Sequence, residues 1–583
     1  MSQAQALSGA QRVSAALRQR LDALRRLVVP SYARRAKLRA AWGSPGEARE
    51  GLFASRAFEL MGAGGDGPCM DDKSWRDLEF SALFSALNTT ISPLGGQLLY
   101  RQMRSYKFDA QQLPRRYQAY RILQADRALR EQLQLILAAL EIPSAAYIIG
   151  ALLGPRPVKP KRPWLIYCWA MLSPMALVAA LALSLTPWIW IGVLAVNATV
   201  TLITSASRGA AGDLDELINC RRMLGVADRL AAVRADAGLD DVSSLAAERQ
   251  KRAGLRRASR WLALVSSNSD VLTYILWAAD LCCIARLLIY TRTVDRFIRS
   301  RGEWLSTYEL VGSVDAAIAV ANFLQRLPRH CQPVVADERT ISIIDGYHPL
   351  IPVPVENSVT LERRSALISG SNMAGKTAFI KMVGTNIVLG HTLGFCLAAR
   401  ATIPRSPVMA SIQGEQSLLS GKSRYFAEIE AIRSFIQHAS RGECRVFVID
   451  ELFSGTNTTE RIAAARAVLL AISAEAQVLA TTHDAELQQL LADRFELYYF
   501  QEDPAVVGFF DHRLRRGISS ERNAIRLLER MNFPPAVVQD AFALVQRQRN
   551  LPERFAPLPQ AGAADTADTT DLPDMGKSGN IIP

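Results

Sequence analysis

Gly370-Ser371-Asn372-Met373-Ala374-Gly375-Lys376-Thr377 fits G-x-x-x-x-G-K-S/T. That spacing suits one chemistry. Consecutive backbone N–H groups from Asn372 to Thr377 can converge on the β-phosphate of a nucleoside triphosphate, and Lys376 can reach the β- and γ-phosphates. The Thr377 hydroxyl is a ligand for Mg²⁺. Ala366 to Ser369, before the loop, reads as a strand. Ala378 to Leu389, after it, reads as a helix whose N-terminus faces the same charge. Two more strand ends carry companions. Arg445 to Ile449 is apolar beyond its first residue and delivers Asp450 beside the metal, through a water, and Glu451 to orient or deprotonate an attacking water. Val478 to Thr482 delivers His483, placed to sense the γ-phosphate. The expected ligands are ATP and Mg²⁺, with Thr377 and Asp450 on the metal and Lys376, Glu451 and His483 serving hydrolysis.

The elements that must position these residues differ along the chain. Asp77 to Leu153 and Asp213 to Leu327 read as helical, and from Cys331 onward short β-rich runs alternate with helices, as in an α/β nucleotide-binding domain. Between the helical stretches, Pro163 to Ser207 holds no Asp, Glu, Lys or Arg and includes Trp164, Trp169, Trp188 and Trp190. Roughly 20 apolar residues span a bilayer core as a helix. The run therefore predicts a transmembrane hairpin, Trp164 to Leu183 and Trp188 to Thr204, turning at Thr186-Pro187. Arg156, Lys159, Lys161 and Arg162 precede it and Arg208, Arg221 and Arg222 follow it, which places both flanks in the cytoplasm. Val271 to Tyr290 is interrupted by Asp280 and Arg286 and reads as a packed soluble helix. Val13 to Val29 predicts an amphipathic helix ended by Pro30, Gly62 to Cys69 a loop, and the acidic stretch beyond Phe555 a disordered tail.

Composition excludes little. Lys plus Arg is 68 and Asp plus Glu 55, a net +13 that permits nucleic acid or an anionic membrane as partner. Two basic clusters stand out: Arg34, Arg35, Lys37 and Arg39, and Lys251, Arg252, Arg256, Arg257 and Arg260. The eight cysteines form no C-x-x-C pair and read as buried free thiols of a reducing compartment. Met1 to Ala16 lacks the apolar core of a signal peptide.

Together the motifs resemble the C-terminal ATPase of the MutS family, the mismatch-repair ATPases of the ABC class. The family's G-P-N-M-G-G-K-S-T stands here as GSNMAGKTA, its D-E-I-G-R-G-T-S-T as Asp450 to Thr458, and its A-T-H as Thr481-Thr482-His483. Its S-T-F-M-V-E stands as Ser423 to Glu428. The resemblance implies that Ser423 faces the γ-phosphate bound by the other subunit, that the loop holding Asn457 lies at the same interface, and that the protein works as a homodimer. Read alone, Ser423 is also a helix N-cap. His348-Pro349 and Glu356-Asn357-Ser358 resemble the entry into the ATPase domain, near the adenine. Gly517, Ala524, Phe533-Pro534 and Ala541 resemble its closing helices. Asp72, Trp75, Asp77-Leu78-Glu79, Thr89-Thr90, Gly95, Leu113 and Arg116 resemble the start of the helical core, or lever.

The departures narrow the expectation. Before Asp72 there is no room for a separate mismatch-recognition domain and no F-x-E wedge, and part of the short lever region is given to the hairpin. Ser371, Ala374, Thr377-Ala378 and Arg424 replace family residues; the loop changes keep the spacing and the metal hydroxyl, whereas Arg424 alters the cross-subunit stretch. The pattern is similar to bacterial MutS-related proteins with predicted membrane segments. The expected fold is multidomain: an N-terminal segment (1–69), a mostly helical core (70–330) with an inserted transmembrane hairpin (about 163–207), an α/β ABC-type P-loop ATPase domain (331–550) and a tail (551–583). The expected function is that of a dimeric ATPase in the bacterial inner membrane, its ATPase domain cytoplasmic, coupled to DNA in repair or recombination without classical mismatch reading. The alternative is an ATP-driven conformational switch acting on a membrane protein assembly without DNA, its protein partners unknown. An exporter engine fits less well, because two membrane helices per chain are few for a transport path.

Overall fold

The computed structural model describes residues 30–44, 53–62, 67–109, 111–155, 157, 162–183, 187–206, 210–233, 238–265, 270–371, 373–412, 424–453, 457–502, 510–518 and 533–549. The expected helix at Val13 to Val29, the tail, Asn372, Ser423 and Ala524 lie outside the described residues. The chain divides into two compact units, Met1–Ser520 and Glu521–Pro583. The boundary falls inside the expected 331–550 domain, and the described part of the second unit includes a helix, Pro535–Arg549.

The first unit opens with helices α1 (Pro30–Ala41), α2 (Ala54–Met61), α3 (Asp72–Asp77), α4 (Phe80–Leu87), α5 (Pro93–Arg104), α6 (Gln112–Ala125), α7 (Arg127–Leu137) and α8 (Ile148–Leu153). There follow α9 (Pro163–Ala182), α10 (Pro187–Ala206), α11 (Ala210–Leu230), α12 (Asp240–Ala247), α13 (Arg249–Ala258), α14 (Leu262–Val265), α15 (Asp270–Cys283), α16 (Ala285–Arg299) and α17 (Arg301–Gln325). Pro30 opens α1, a position where a missing N–H costs nothing. Val271 to Tyr290 does not form the single helix its apolar residues suggest. The chain breaks at Ile284, in the left-handed region at φ 46°, and bends by 88° between α15 and α16. Asp280 favours the break, because its carboxylate accepts the Arg286 backbone N–H at 2.7 Å and starts the next helix. α9 and α10 are each 20 residues long and uncharged, as the composition implies. Among the described residues, no single helix is long and apolar enough to cross a membrane, whereas two bent pairs, of which α15–α16 supplies one, pass together on length and composition.

From Val334 the chain builds two sheets. β1 (Val334–Ala336), β5 (Arg400–Pro404), β2 (Thr340–Gly346) and β3 (Asn357–Glu362) form one, in that order. The other has six strands in the order β10 (Phe510–Arg516), β9 (Phe495–Glu502), β4 (Ser365–Ser369), β8 (Gln477–Thr482), β7 (Val446–Ile449), β6 (Val408–Ser411). Every neighbour in the second sheet is parallel except β10 against β9. β4, β7 and β8 are buried along their whole length, as expected of parallel strands covered on both faces. Their residues alternate between two cores. Ile368, Val446 and Val448 join a large apolar cluster that continues through α18 (Lys376–Thr392) into α2 to α8, α11 to α14, α16 and α17. Leu367, Phe447, Ile449 and Val478 pack under α19 (Arg424–Ser440), α20 (Thr458–Glu475) and α21 (Ala485–Leu491).

The helical part is tied to the sheet where a sheet is weakest, at its edge. β6 has β7 on one side only, and its other backbone groups are met by side chains. Ser74 Oγ accepts from Ala410 N at 2.9 Å, and Asp77 Oδ2 accepts from Ile412 N at 2.8 Å. The Tyr106 hydroxyl accepts from Val408 N at 3.2 Å and donates to Val408 O at 3.3 Å. Within the helical part, buried Asp315 on α17 accepts from Ile91 N, Ser92 N and the Ser92 hydroxyl at 3.0, 2.7 and 2.6 Å. Gly95 allows this approach: a Cβ there would lie 2.4 Å from Asp315 Oδ2. Tyr106→Phe should keep the ring and strip the two Val408 bonds, costing about 1–3 kcal/mol of stability. A denaturant titration of the purified variant against wild type reads this as a lower midpoint at unchanged slope.

Candidate active site

β4 ends at Ser369 and the chain turns back over it before α18 begins at Lys376. The turn passes through Gly370 at φ +144°, Met373 at +72° and Gly375 at +110°. A Cβ on Gly370 would stand 2.9 Å from the Phe500 carbonyl oxygen of β9, so the loop lies against its neighbour strand only because that atom is missing. Lys376 is 3% exposed. Its Nζ donates to Gly370 O at 2.9 Å and Ser371 O at 3.1 Å and lies 3.8 Å from Glu451 Oε1. Burial lowers the lysine pKa, and the nearby Glu451 and Asp450 carboxylates oppose that shift. The Ser371 hydroxyl is buried in the loop without a protein partner.

The three strand ends meet at Asp450. The Thr377 hydroxyl donates to its Oδ2 at 2.9 Å, and the Thr481 hydroxyl, from the end of β8, donates to its Oδ1. Its own N–H donates to Ser411 O at 2.9 Å, fixing the end of β7 to β6. Thr377 and Asp450 present two hard oxygens side by side. Among the described residues no group of three or more His, Cys, Asp or Glu could hold a metal. A pair of oxygens suits Mg²⁺, which shares its shell with phosphates and water rather than taking a full protein cage.

Glu451 leaves β7 through the left-handed region at φ 47°. His483 Nε2 donates to its Oε1 at 2.5 Å, and its N–H is held by Thr481 Oγ1 at 3.1 Å. The His483 hydrogen bond holds the Glu451 carboxyl below the usual carboxylate range, against the effect of burial and with help from Lys376. Two positioning contacts gave no sign in the sequence. Arg461 on α20 grips Asp484 through both carboxylate oxygens, at 2.8 and 3.1 Å, next to His483. Glu428 on α19 accepts the Phe453 N–H at 2.6 Å, just after Glu451.

Beside the loop lies a cavity of about 400 Å³, with Ser371, Lys376 and Thr377 on its wall along with Tyr347, His348, Ile351, Phe379 and Met382. An apolar cleft next to a phosphate loop suits a purine base. Of the stretch expected near the adenine, His348 and Asn357 line this cavity. Burial pushes the His348 pKa down to about 4. Its Nε2 is buried without a hydrogen-bond partner. His512 completes the wall and was not foreseen. It sits on β10, far along the chain, and approaches Ala374 O with Nδ1 at 3.2 Å while Asn357 donates to its carbonyl at 3.0 Å.

Lys376, Thr377, Asp450, Glu451 and His483 thus come together, with Gly370, Ser371, Met373, Ala374 and Gly375 forming the described part of the loop. Asn457 does not join them: it caps α20, accepting from Thr459 N at 3.2 Å. The two basic clusters are largely engaged within the protein. Arg34 pairs with Glu141, Arg39 with Glu131, Lys251 with Glu248, and Arg252 and Arg256 with Asp228.

Residues 366–548 match the family described as MutS domain V. A DNA mismatch repair protein MutS of Natronomonas pharaonis is 29% identical over 309 residues, 48% of this chain and 36% of the relative. An Endonuclease MutS2 of Carboxydothermus hydrogenoformans is 25% identical over 257 residues, 42% of this chain and 32% of the relative. An Endonuclease MutS2 of Thermus thermophilus is 28% identical over 275 residues, 43% of this chain and 35% of the relative. The chain spans about a third of the length of the relatives it matches. In its phosphate-loop sequence and the strand ends gathered around it, the chain thus carries a stretch that matches MutS domain V and is similar to MutS and MutS2 proteins.

Proposed function

We propose that this protein binds Mg²⁺-ATP at Gly370 to Thr377 and hydrolyses it. The observation that carries the reading is the junction of Thr377, Asp450 and Thr481 beside Lys376 and the Glu451–His483 pair. The orphaned Ser371 hydroxyl fits a phosphate oxygen as its partner. Bound Mg²⁺-ATP supplies an electrophilic γ-phosphorus with its charge partly neutralised. Loop N–H groups and the start of α18 hold the phosphates, and Lys376 transfers its hydrogen bonds from loop carbonyls to phosphate oxygens. Glu451 orients water and accepts its proton, and His483 keeps that carboxylate aimed and ionised.

The working form is a homodimer, in which Ser423 and the loop containing Asn457 complete the partner's site; this part rests on the resemblance to MutS. Residues 70–330 serve as the helical core and 331–550 as the ATPase domain. The protein is anchored in the bacterial inner membrane by α9 and α10, with the ATPase domain in the cytoplasm. Supporting the anchor are the uncharged run and the apolar side chains it leaves at the surface, among them Trp164, Met171, Leu172, Met175, Trp188 and Leu202. DNA is the proposed partner because the relatives carry names of DNA mismatch repair proteins and MutS2 endonucleases.

Lys376→Ala should lose about 2–5 kcal/mol of ATP binding, as expected when one member of a buried charge contact is removed. Unchanged ATP affinity by titration calorimetry would refute the loop assignment. Glu451→Gln should keep ATP binding, lower turnover about 10²- to 10⁴-fold and accumulate as an ATP-bound dimer in light scattering; wild-type turnover removes Glu451 from the chemistry.

The pH dependence follows from the depressed Glu451 pKa. A depressed carboxyl is fully ionised at and above its ordinary range, and its contribution disappears only as pH falls through the lower folded value. The acid limb of turnover should therefore lie below the usual carboxylate range, and His483→Ala should move it upward. An unmoved limb in the pH–kcat profile contradicts the pairing.

DNA binding, measured on detergent-solubilised dimer, should weaken with salt by about 0.9 log units per log unit of salt for each phosphate contacted. No binding at low salt favours the switch acting on a membrane assembly without DNA.

A further inference from the structure

α15 stands against the hairpin with its outer face bare. Tyr274, Ile275 and Trp277 are 73%, 55% and 61% exposed. Large apolar side chains of α9 and α10 are exposed as well, so the bare surface continues across the three helices. The inner side of α15 ends in a polar knot. The break at Ile284 leaves the Leu281 and Cys282 carbonyls of α15 to side-chain donors. Asn197 donates to Leu281 O at 2.6 Å and Ser173 donates to Cys282 O at 2.8 Å. Asn197 also donates to Ser173 Oγ at 2.7 Å and accepts from Trp169 Nε1 at 2.7 Å. Ser173 and Asn197 lie midway along α9 and α10, so the knot sits about 15 Å from the ends of the hairpin helices.

We propose that α15 is a third membrane-embedded helix, entering from the cytoplasmic face, ending at the Asn197–Ser173 knot and returning as α16, with Tyr274, Ile275 and Trp277 against lipid acyl chains. The proposal rests on the anchoring of α9 and α10. Length excludes a full crossing: 14 residues of helix span about 21 Å, short of a hydrocarbon core of roughly 30 Å. The flanks meet on one side. Arg292 of α16 lies over the rings of Trp261, before α15, and of Tyr167, near the start of α9. Of the two charges at the break, Asp280 is buried. Asp280 and Arg286 pair at 2.9 Å and line a cavity of about 620 Å³ together with Asp215, Asn219, Arg222 and Ser144 of the helical core. Broken backbone at membrane depth is tolerated where it is buried in protein or lines such a cavity. Asn197 and Ser173 supply hydrogen bonds that lipid cannot.

Photolabelling of the wild-type protein tests this. The protein is reconstituted into phosphatidylethanolamine–phosphatidylglycerol vesicles containing a phospholipid with a diazirine at the acyl-chain terminus, irradiated, and mapped by peptide mass spectrometry. Adducts are expected at the exposed residues of α9 and α10 and also at Tyr274 to Trp277. Adducts on α9 and α10 with none on α15 overturn the proposal while leaving the anchor intact. Adducts on none of the three helices overturn the anchor, and this proposal with it.

Discussion

Asp450 is the constraint around which the site is organised. A buried carboxylate needs partners, and this one has Thr377 on one oxygen and Thr481 on the other. Those hydroxyls come from the first residues of α18 and the end of β8, and Asp450 itself ends β7. One side chain therefore sets the relative heights of the phosphate loop and two strand ends. The Glu451–His483 pair depends on the same junction, since the Thr481 hydroxyl that donates to Asp450 also accepts the Glu451 N–H. Strand order makes this possible. β8 lies between β4 and β7, so Thr481 can reach across while all three strands point the same way.

The loop helix carries this constraint outward. Lys381, one turn beyond Lys376, pairs with Glu79 at 2.7 Å. At the other end of α18, Arg116 donates to Thr392 O at 2.8 Å, placing a cation where the helix dipole is negative. β6, bound through Asp450 N to β7, is sealed by Ser74, Asp77 and Tyr106. A displacement of the loop or of the end of β7 thus meets side chains of the helical part directly, through ion pairs and backbone hydrogen bonds as well as through the shared apolar core.

The parts of the site legible in the sequence were those set by local pattern: the glycine–lysine loop, the apolar strands and the polar residues at their ends. Burial of β4, β7 and β8 on both faces requires continuous apolar runs, which are visible without a structure. His512 and the Arg461–Asp484 clamp were hidden because they depend on which segments lie side by side. The edge contacts of Ser74 and Asp77 were hidden for a related reason: a side chain that replaces a missing strand has no periodicity. In α15–α16 the apolar period ran through a break that Asp280 and a left-handed Ile284 impose, so hydrophobicity suggested one helix where hydrogen bonding made two.

The same accounting explains polar residues in an otherwise apolar hairpin. Asn197 and Ser173 are buried, and an unpaired amide or hydroxyl in an apolar setting costs several kcal/mol. They are tolerable only because α15 ends beside them with carbonyls that also need donors. Each side satisfies the other, so the hairpin and the broken helix form one hydrogen-bonded unit. That unit leads into the core through α16 and α17, and α17 carries Asp315, which fixes the start of α5. On the anchored reading, the bilayer therefore holds a rigid base, and motion driven at Lys376 and Glu451 is borne by the contacts of Glu79, Ser74, Asp77 and Arg116 with the ATPase sheet and loop helix.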